Sequence, residues 1–387
     1  MNSMTNTTVS MPSKRIESLD ILRGLTVAGM ILVNNGYGES FEMLQHSRWN
    51  GLTPCDLVFP FFLFIMGISC YISLVKSQFR PAKAVVWKIV KRTVLLFLIG
   101  LFINWFHMAM KGQPLHFAHL RLWAVMQRIA LCYLAVSLFA LFVNHRYTLP
   151  TVALLLAAYT LLIIYGNGYS EDPSVNILSR ADRWLFGYDH LYHKSPVDPE
   201  GLLGTISSIA HVLLGFYCGK IITTMSNEKL VIRIFVMGTV CIITGYLLTY
   251  GLPLNKRIWS PSYVLVSCGL CALLQALLIS EELRMKNEEF ATASTPADGI
   301  AVANPSSFTL HSTFFKVFGM NALALYVLSE LLSIVFSAWG INDVIYGVLH
   351  AVIPWTKWAS LAYALVFVAV NYAAGYLLYR KKIYIKL

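Results

Sequence analysis

The chain has 387 residues, 57% of them hydrophobic and 13% charged, with a net charge of +11 and a mean hydropathy of +0.62. Soluble domains carry roughly 25% charged residues, so half that content, with repeated apolar runs of about 20 residues, excludes a soluble globular protein. The runs are continuous, not alternating, which excludes an outer-membrane barrel, and in a polytopic helical protein the surplus of Lys and Arg belongs to short loops on one side of the membrane, not to nucleic acid.

Residues 1–15 form a polar tail with no apolar segment of the signal-peptide kind. Ten spans are then predicted, at about 19–37, 56–75, 90–106, 122–143, 149–165, 202–224, 231–250, 261–280, 314–338 and 358–379, giving an all-α polytopic bundle with a single membrane domain over 16–387. Ser18 is placed to cap the first span, and Asp20 and Arg23, three apart, to pair on one face of it. Residues 281–310, Glu-rich and then Ala/Ser/Pro-rich, read as a mobile loop. Residues 341–356 are apolar but short and Pro-ended, and read as a re-entrant or surface-lying piece.

Lys14, Arg15, the basic loop 76–92, Arg146, Lys220, Lys229, Arg233 and the tail 380–386 fall on one side of a ten-span chain. That side is the cytoplasm by charge bias, with both termini there. The loops 38–55, 107–119 and 166–200 then face outward, and Lys256 and Arg257 on that outer side are the one departure from the bias.

The stretch with most chemistry is HSRWNGLTPCDLVFPFFLFIMG, residues 46–67, where a polar segment runs straight into an apolar helix. His46 is a candidate general base, since unperturbed imidazole accepts protons near neutrality. Asp56 is a candidate to orient its ring, and Asn34, ending the first span, to donate to an oxyanion. The alternative is an ordinary wet loop. Arg128, inside an apolar run beside Gln127, needs an anion: a carboxylate such as Asp20 or Asp56, or a ligand phosphate. Asn321 is either glue between helices or a ligand contact. Asp198 and Glu200, before the sixth span, either cap that helix or bind a hydroxylated or cationic acceptor. Trp184 and Trp259 suit interfacial belts. The seven cysteines, Cys268 and Cys271 among them, read as small core residues. His107, His116, His119, His190 and His193 lie in wet loops, and His116 and His119 lack the Cys or carboxylate partners a metal site needs.

The segments RIESLDILRGLTVAGMILVNN, HSRWNGLTPCDLVFPFFLFIMG, QRIALCY, DPEGLLGT, NKRIWSPSYVL and GMNALALYVLSE, in this order, resemble the heparan-α-glucosaminide N-acetyltransferase family of transmembrane acyltransferases from about residue 15 onward. The resemblance implies a bacterial inner-membrane enzyme. It would take acetyl-CoA from the cytoplasm and acetylate the amine of a glucosamine-type sugar outside, with no metal, and with a homodimer as the candidate assembly. It further implies His46 as catalytic base or acetyl carrier with Asn34 and Asp56 beside it, Arg128, Gln127 and Asn321 near the cofactor, and Trp49, Asn50, Asp198 and Glu200 near the acceptor. A solute transporter, or an O-acyltransferase of an envelope glycan, are the competing functions, and binding of CoA separates the transporter from the enzyme.

Overall fold

The computed structural model describes residues 16–293 and 307–385, and among these every regular element is helical. The helices are α1 (Glu17–Asn34), α2 (Val58–Val75), α3 (Lys83–Met110), α4 (Val125–Phe142), α5 (Thr148–Tyr165), α6 (Ile177–Phe186), α7 (Gly204–Thr224), α8 (Asn227–Leu248), α9 (Pro261–Ala293), α10 (Ser307–Met320), α11 (Ala322–Ala338), α12 (Ile341–Val352) and α13 (Thr356–Arg380). Eight described helices are long and apolar enough to cross a membrane, and the bent pair α10–α11 makes a ninth. α1 falls outside that count because Glu17, Asp20 and Arg23 sit in its 18 residues. Two of those charges are neutralised locally: Arg23 Nη1 lies 2.9 Å from Asp20 Oδ1, and Arg23 Nη2 donates to Ser69 Oγ on α2.

α2 and α7 form the central pair. A Cβ on Gly67 would overlap the Val212 carbonyl, and one on Gly215 would overlap the Phe64 carbonyl, so only glycine lets the two backbones touch. Leu63, Phe64 and Ile68 of α2 and Val212 and Phe216 of α7 are wholly buried around that crossing.

Loops after α1, α3, α5 and α8 meet at one end of the bundle. Gly51 N donates to Leu254 O, Asn255 Nδ2 to Asn50 Oδ1, Trp49 Nε1 to Tyr169 O, and Leu122 N to His190 O. α13 begins at this end, with Thr356 Oγ1 on Glu39 and Ser360 Oγ on Ser40. Its 25 residues, at about 1.5 Å each, carry the chain to the opposite end.

Three expectations change. Ser18 does not cap α1: the helix starts at Glu17, and Ser18 lies inside its first turn, with its N–H donating to Glu282 Oε2 of α9. The stretch 281–293 is helical, not a loop, because Glu281–Arg284 and Glu282–Lys286 pair along a solvated extension of α9; the remainder of that expected loop, 294–306, and the tail 1–15 lie outside the described residues. The ninth predicted span breaks at Asn321, with an 82° bend between α10 and α11. The apolar stretch 341–352, too short to span, is a helix packed on α11 and α13, with Val344, Val348 and Val352 exposed along its outer face.

Candidate active site

Thr53-Pro54-Cys55-Asp56 opens the second span as a capping box with proline in its first turn. Asp56 Oδ2 accepts from Thr53 N at 3.1 Å, Thr53 Oγ1 at 3.0 Å and Ser47 N at 3.2 Å. Its Oδ1 is thereby aimed at His46 Nδ1, 2.8 Å away. The carboxylate is fully buried whereas the His46 side chain is 48% exposed. A helix cap thus doubles as the support that orients an accessible imidazole. With Nδ1–H donated to Asp56, the Nε2 lone pair is free to take a proton.

Two neighbours complete the pocket around the ring. Lys256 Nζ, on the loop between α8 and α9, is 3.1 Å from His46 Nδ1 and 3.6 Å from Asp56 Oδ1. Burial pushes its pKa below the usual lysine range, while Asp56, Cys55 and Glu200 work in the opposite direction. Cys55 Sγ lies 3.1 Å from Nδ1 and 3.9 Å from Nε2. The loop carrying Lys256 is held rigidly: Asn255 accepts from Ile258 N and receives Ser260 N on its carbonyl. Trp259 adopts the left-handed region at φ 54°, and Tyr263 OH donates to the Asp56 carbonyl. A buried tryptophan in that conformation costs about 1–3 kcal/mol, and here it lays the indole against Arg128, 5.0 Å from ring centre to guanidinium carbon.

Arg128 is buried on the same end. It pairs with neither Asp20, which is bound to Arg23, nor Asp56, which is bound to His46 and Lys256. Its Nη2 donates to Gly201 O, whereas Nε and Nη1 have no partner, nor has either amide atom of the adjacent Gln127. Trp259 is therefore a core platform and not an interfacial belt residue, whereas Trp184 is 84% exposed.

A second charged cluster stands beside the first. Arg121 Nη2 bridges Asp198 Oδ1 at 2.8 Å and Glu200 Oε2 at 2.9 Å. Asp198 also accepts from Tyr192 N and Glu200 N, so both its oxygens are used.

The structure brings His46 and Asp56 together, and Arg128 with Gln127, at one end. Other expected site residues are placed elsewhere or spent. Asn34 Nδ2 faces Glu330 Oε1 of α11 at 3.5 Å, and no bond joins it to His46; Asn35 turns back to Ile31 O. Asn321 is at the far end, where it takes Ile385 N and donates to Ile383 O, so it anchors the tail. Trp49 is buried in an apolar cluster with Tyr159 and Ile258, its N–H used on Tyr169 O, so it pins loops together. Asn50 is exposed, bound through Oδ1 to Asn255. His116 and His119 have ring centres 6.2 Å apart, and no described group of three His, Cys, Asp or Glu could hold a metal. Lys256 and Arg121 were missed from the sequence. The one signal for Lys256 was its place on the outer side against the charge bias; Arg121 gave none.

Fold and site together define a polytopic helical membrane protein with a histidine–carboxylate pair at one end of its bundle. Residues 15–250 match the family described as heparan-alpha-glucosaminide N-acetyltransferase, catalytic, and the chain belongs to that family. It is 31% identical over 310 residues to the heparan-alpha-glucosaminide N-acetyltransferase of Mus musculus, covering 65% of this chain and 47% of that protein. The protein of that name from Homo sapiens is 31% identical over 314 residues, covering 65% and 46%. The chain spans about half the length of these curated relatives.

Proposed function

We propose that this chain is a transmembrane N-acetyltransferase that moves the acetyl group of acetyl-CoA to the amine of a glucosamine-type sugar. The observation that carries this reading is the buried Asp56 carboxylate 2.8 Å from Nδ1 of a half-exposed His46, in a chain of this family. The basic stretch 76–92, the loop after α2 with the first turns of α3, and the tail 380–382 at the end of α13 lie opposite His46, so that end faces the cytoplasm by charge bias and the donor enters there. The acceptor meets His46 at the extracytoplasmic end, in a bacterial inner membrane.

His46 Nε2 takes a proton from the acceptor amine as its nitrogen attacks the thioester carbonyl. The C–N bond forms, the C–S bond breaks as the tetrahedral intermediate collapses, and the CoA thiolate leaves with the proton returned by His46. Arg128 and Gln127, with buried groups lacking protein partners, sit at the His46 end; that depth suits the acyl end of the donor, not its phosphates. Asn50 and Glu200 remain for the acceptor, while Trp49 and Asp198 frame the site.

The test is transfer from labelled acetyl-CoA to a panel of amino sugars by the purified chain in detergent. His46→Ala is expected to lose at least about 10²-fold with an unchanged melting temperature; unchanged turnover would sink the mechanism. Label trapped on His46 would make the ring an acetyl carrier, transfer to hydroxyls would make the chain an O-acyltransferase, and solute uptake without CoA binding would make it a transporter.

A further inference from the structure

Between Asp56 and Glu171 the sequence holds no Asp or Glu, yet the stretch 76–92 carries six Lys or Arg. α3 takes that charge into the membrane. Its 28 residues exceed the roughly 20 that cross a bilayer, and Lys83–Ile89 is the surplus at the basic end. Ile89, Thr93, Leu96 and Gly100 face the bundle. On the opposite arc Lys83, Trp87, Lys88 and Lys91 are exposed, Trp87 by 68%, and Val90, Val94 and Leu98 continue the arc toward the middle of the helix. Arg92 turns away from it, with its guanidinium 4.6 Å over the Tyr133 ring of α4. Among the described residues, Lys83, Lys88 and Lys91 have no hydrogen-bond or ion-pair partner.

Two of these charges are badly placed without a counterion. Lys88 and Lys91, three apart, repel each other on one helix face. Lys91 stands between Val90 and Val94 inside the predicted span, where a charge is costly unless its chain snorkels to the interface. Side chains on a helix lean toward its N-terminus, so the Lys91 ammonium is carried back toward Lys88 and Trp87. We propose that this arc of α3 binds an anionic phospholipid in the leaflet at the basic end. Lys88 and Lys91 hold its phosphate, and Lys83 adds to the positive field on the aqueous side. The Trp87 indole sits at headgroup depth, and the acyl chains lie along Val90, Val94 and Leu98. Such a lipid supplies the negative charge that this part of the sequence lacks, and it meets the arc without leaving the bilayer. The arc faces away from the bundle whereas Arg92 faces into it, so the outward lysines are separated from any anion bound inside.

The probes are phosphatidylglycerol with brominated chains, which quench a neighbouring indole, and phosphatidylcholine brominated in the same way, on the full chain in vesicles. The Trp87 signal is the difference between the wild type and Trp87→Phe. Phosphatidylglycerol is expected to half-quench it at a mole fraction about 25-fold lower, a factor of about five for each of Lys88 and Lys91. Lys88→Gln and Lys91→Gln, both at exposed positions, should each remove one such factor. Equal quenching by the two lipids, or a preference that survives in the double variant, overturns the site. Calorimetric binding of acetyl-CoA to the same double variant separates the two sources of phosphate. Wild-type affinity supports the lipid, and a loss of about tenfold would give the lysines to the donor and overturn the proposal. The quenching does not depend on acetyl transfer, so its failure leaves the acetyltransferase reading intact.

Discussion

Two clusters of three charged residues stand side by side at one end of this bundle, and they differ in what their protons can do. In Arg121–Asp198–Glu200, one guanidinium is shared by two carboxylates and Asp198 is saturated by backbone N–H groups. Arginine keeps its proton under all ordinary conditions, so the cation of this cluster holds loops and carries no proton. In His46–Asp56–Lys256 the carboxylate is as deeply buried, yet the imidazole it orients is half-exposed. Neighbouring buried carboxylates thus serve two ends: one cluster clamps loops through a guanidinium, and one orients a ring and keeps Nε2 unused.

The comparison is tested most severely at the two carboxylates. Asp56→Asn should lower kcat by about 10²–10⁴-fold, because an amide can donate to Nδ1 and so stabilise the tautomer with its proton on Nε2, the wrong one for a base. The acceptor KM should change far less, and a wild-type kcat would end the orienting role. Asp198→Ala should act through stability instead. It leaves Arg121 with Glu200 alone and two backbone N–H groups without their acceptor, a loss of about 1–3 kcal/mol, read as a lowered melting temperature. If the residual folded fraction has normal kcat, the clamp is structural; if kcat falls with no change in melting, the two clusters have been assigned the wrong way round.

Lys256→Met probes the member of the working cluster that is not a proton carrier in the mechanism. Asp56 keeps His46 and three further donors, so the expected fall in kcat is about tenfold, the scale of one charge-assisted contact. The pH signature has a definite sign. Burial lowers the folded-state pKa of Lys256 below 10.5, so between those two values the unfolded chain binds more protons and stability rises with pH. The rise should vanish in Lys256→Met, as followed by thermal melts across the alkaline range.

Much of this end was legible from residues close in sequence. Thr53-Pro54-Cys55-Asp56 is a local helix-start signal, and Asp56 lies ten residues after His46, so its orienting role followed from short-range geometry. Lys256 lies 210 residues away, and the Arg121 contacts span 77 and 79 residues; helix-packing order decides such meetings, and periodicity does not encode it. The same limit governs Arg128, whose need for a partner was plain but whose partners, Gly201 O and the Trp259 ring, are a carbonyl and an indole set by tertiary contact. The span positions were readable, but not the added turns of α3 and α9, nor the break at Asn321, since hydropathy is continuous through a bend at which the Asn321 side chain binds the tail backbone.

The smallest effect expected is at Cys55, which competes with the imidazole for the role of group that meets the thioester. Its sulfur is 3.1 Å from His46 Nδ1, close enough for a cysteine–histidine pair. The residue is, however, only 2% exposed, and a thiol without open access is a poor attacking group. It also sits against the ring nitrogen that Asp56 already occupies, 3.9 Å from Nε2 where the chemistry is placed. Cys55→Ala should therefore change kcat by no more than about threefold and cost about 1 kcal/mol or less of stability for the small void. Loss of transfer by about 100-fold or more, with the fold retained, would move the acyl carrier to the thiol and leave the Asp56–His46 pair as its activating base.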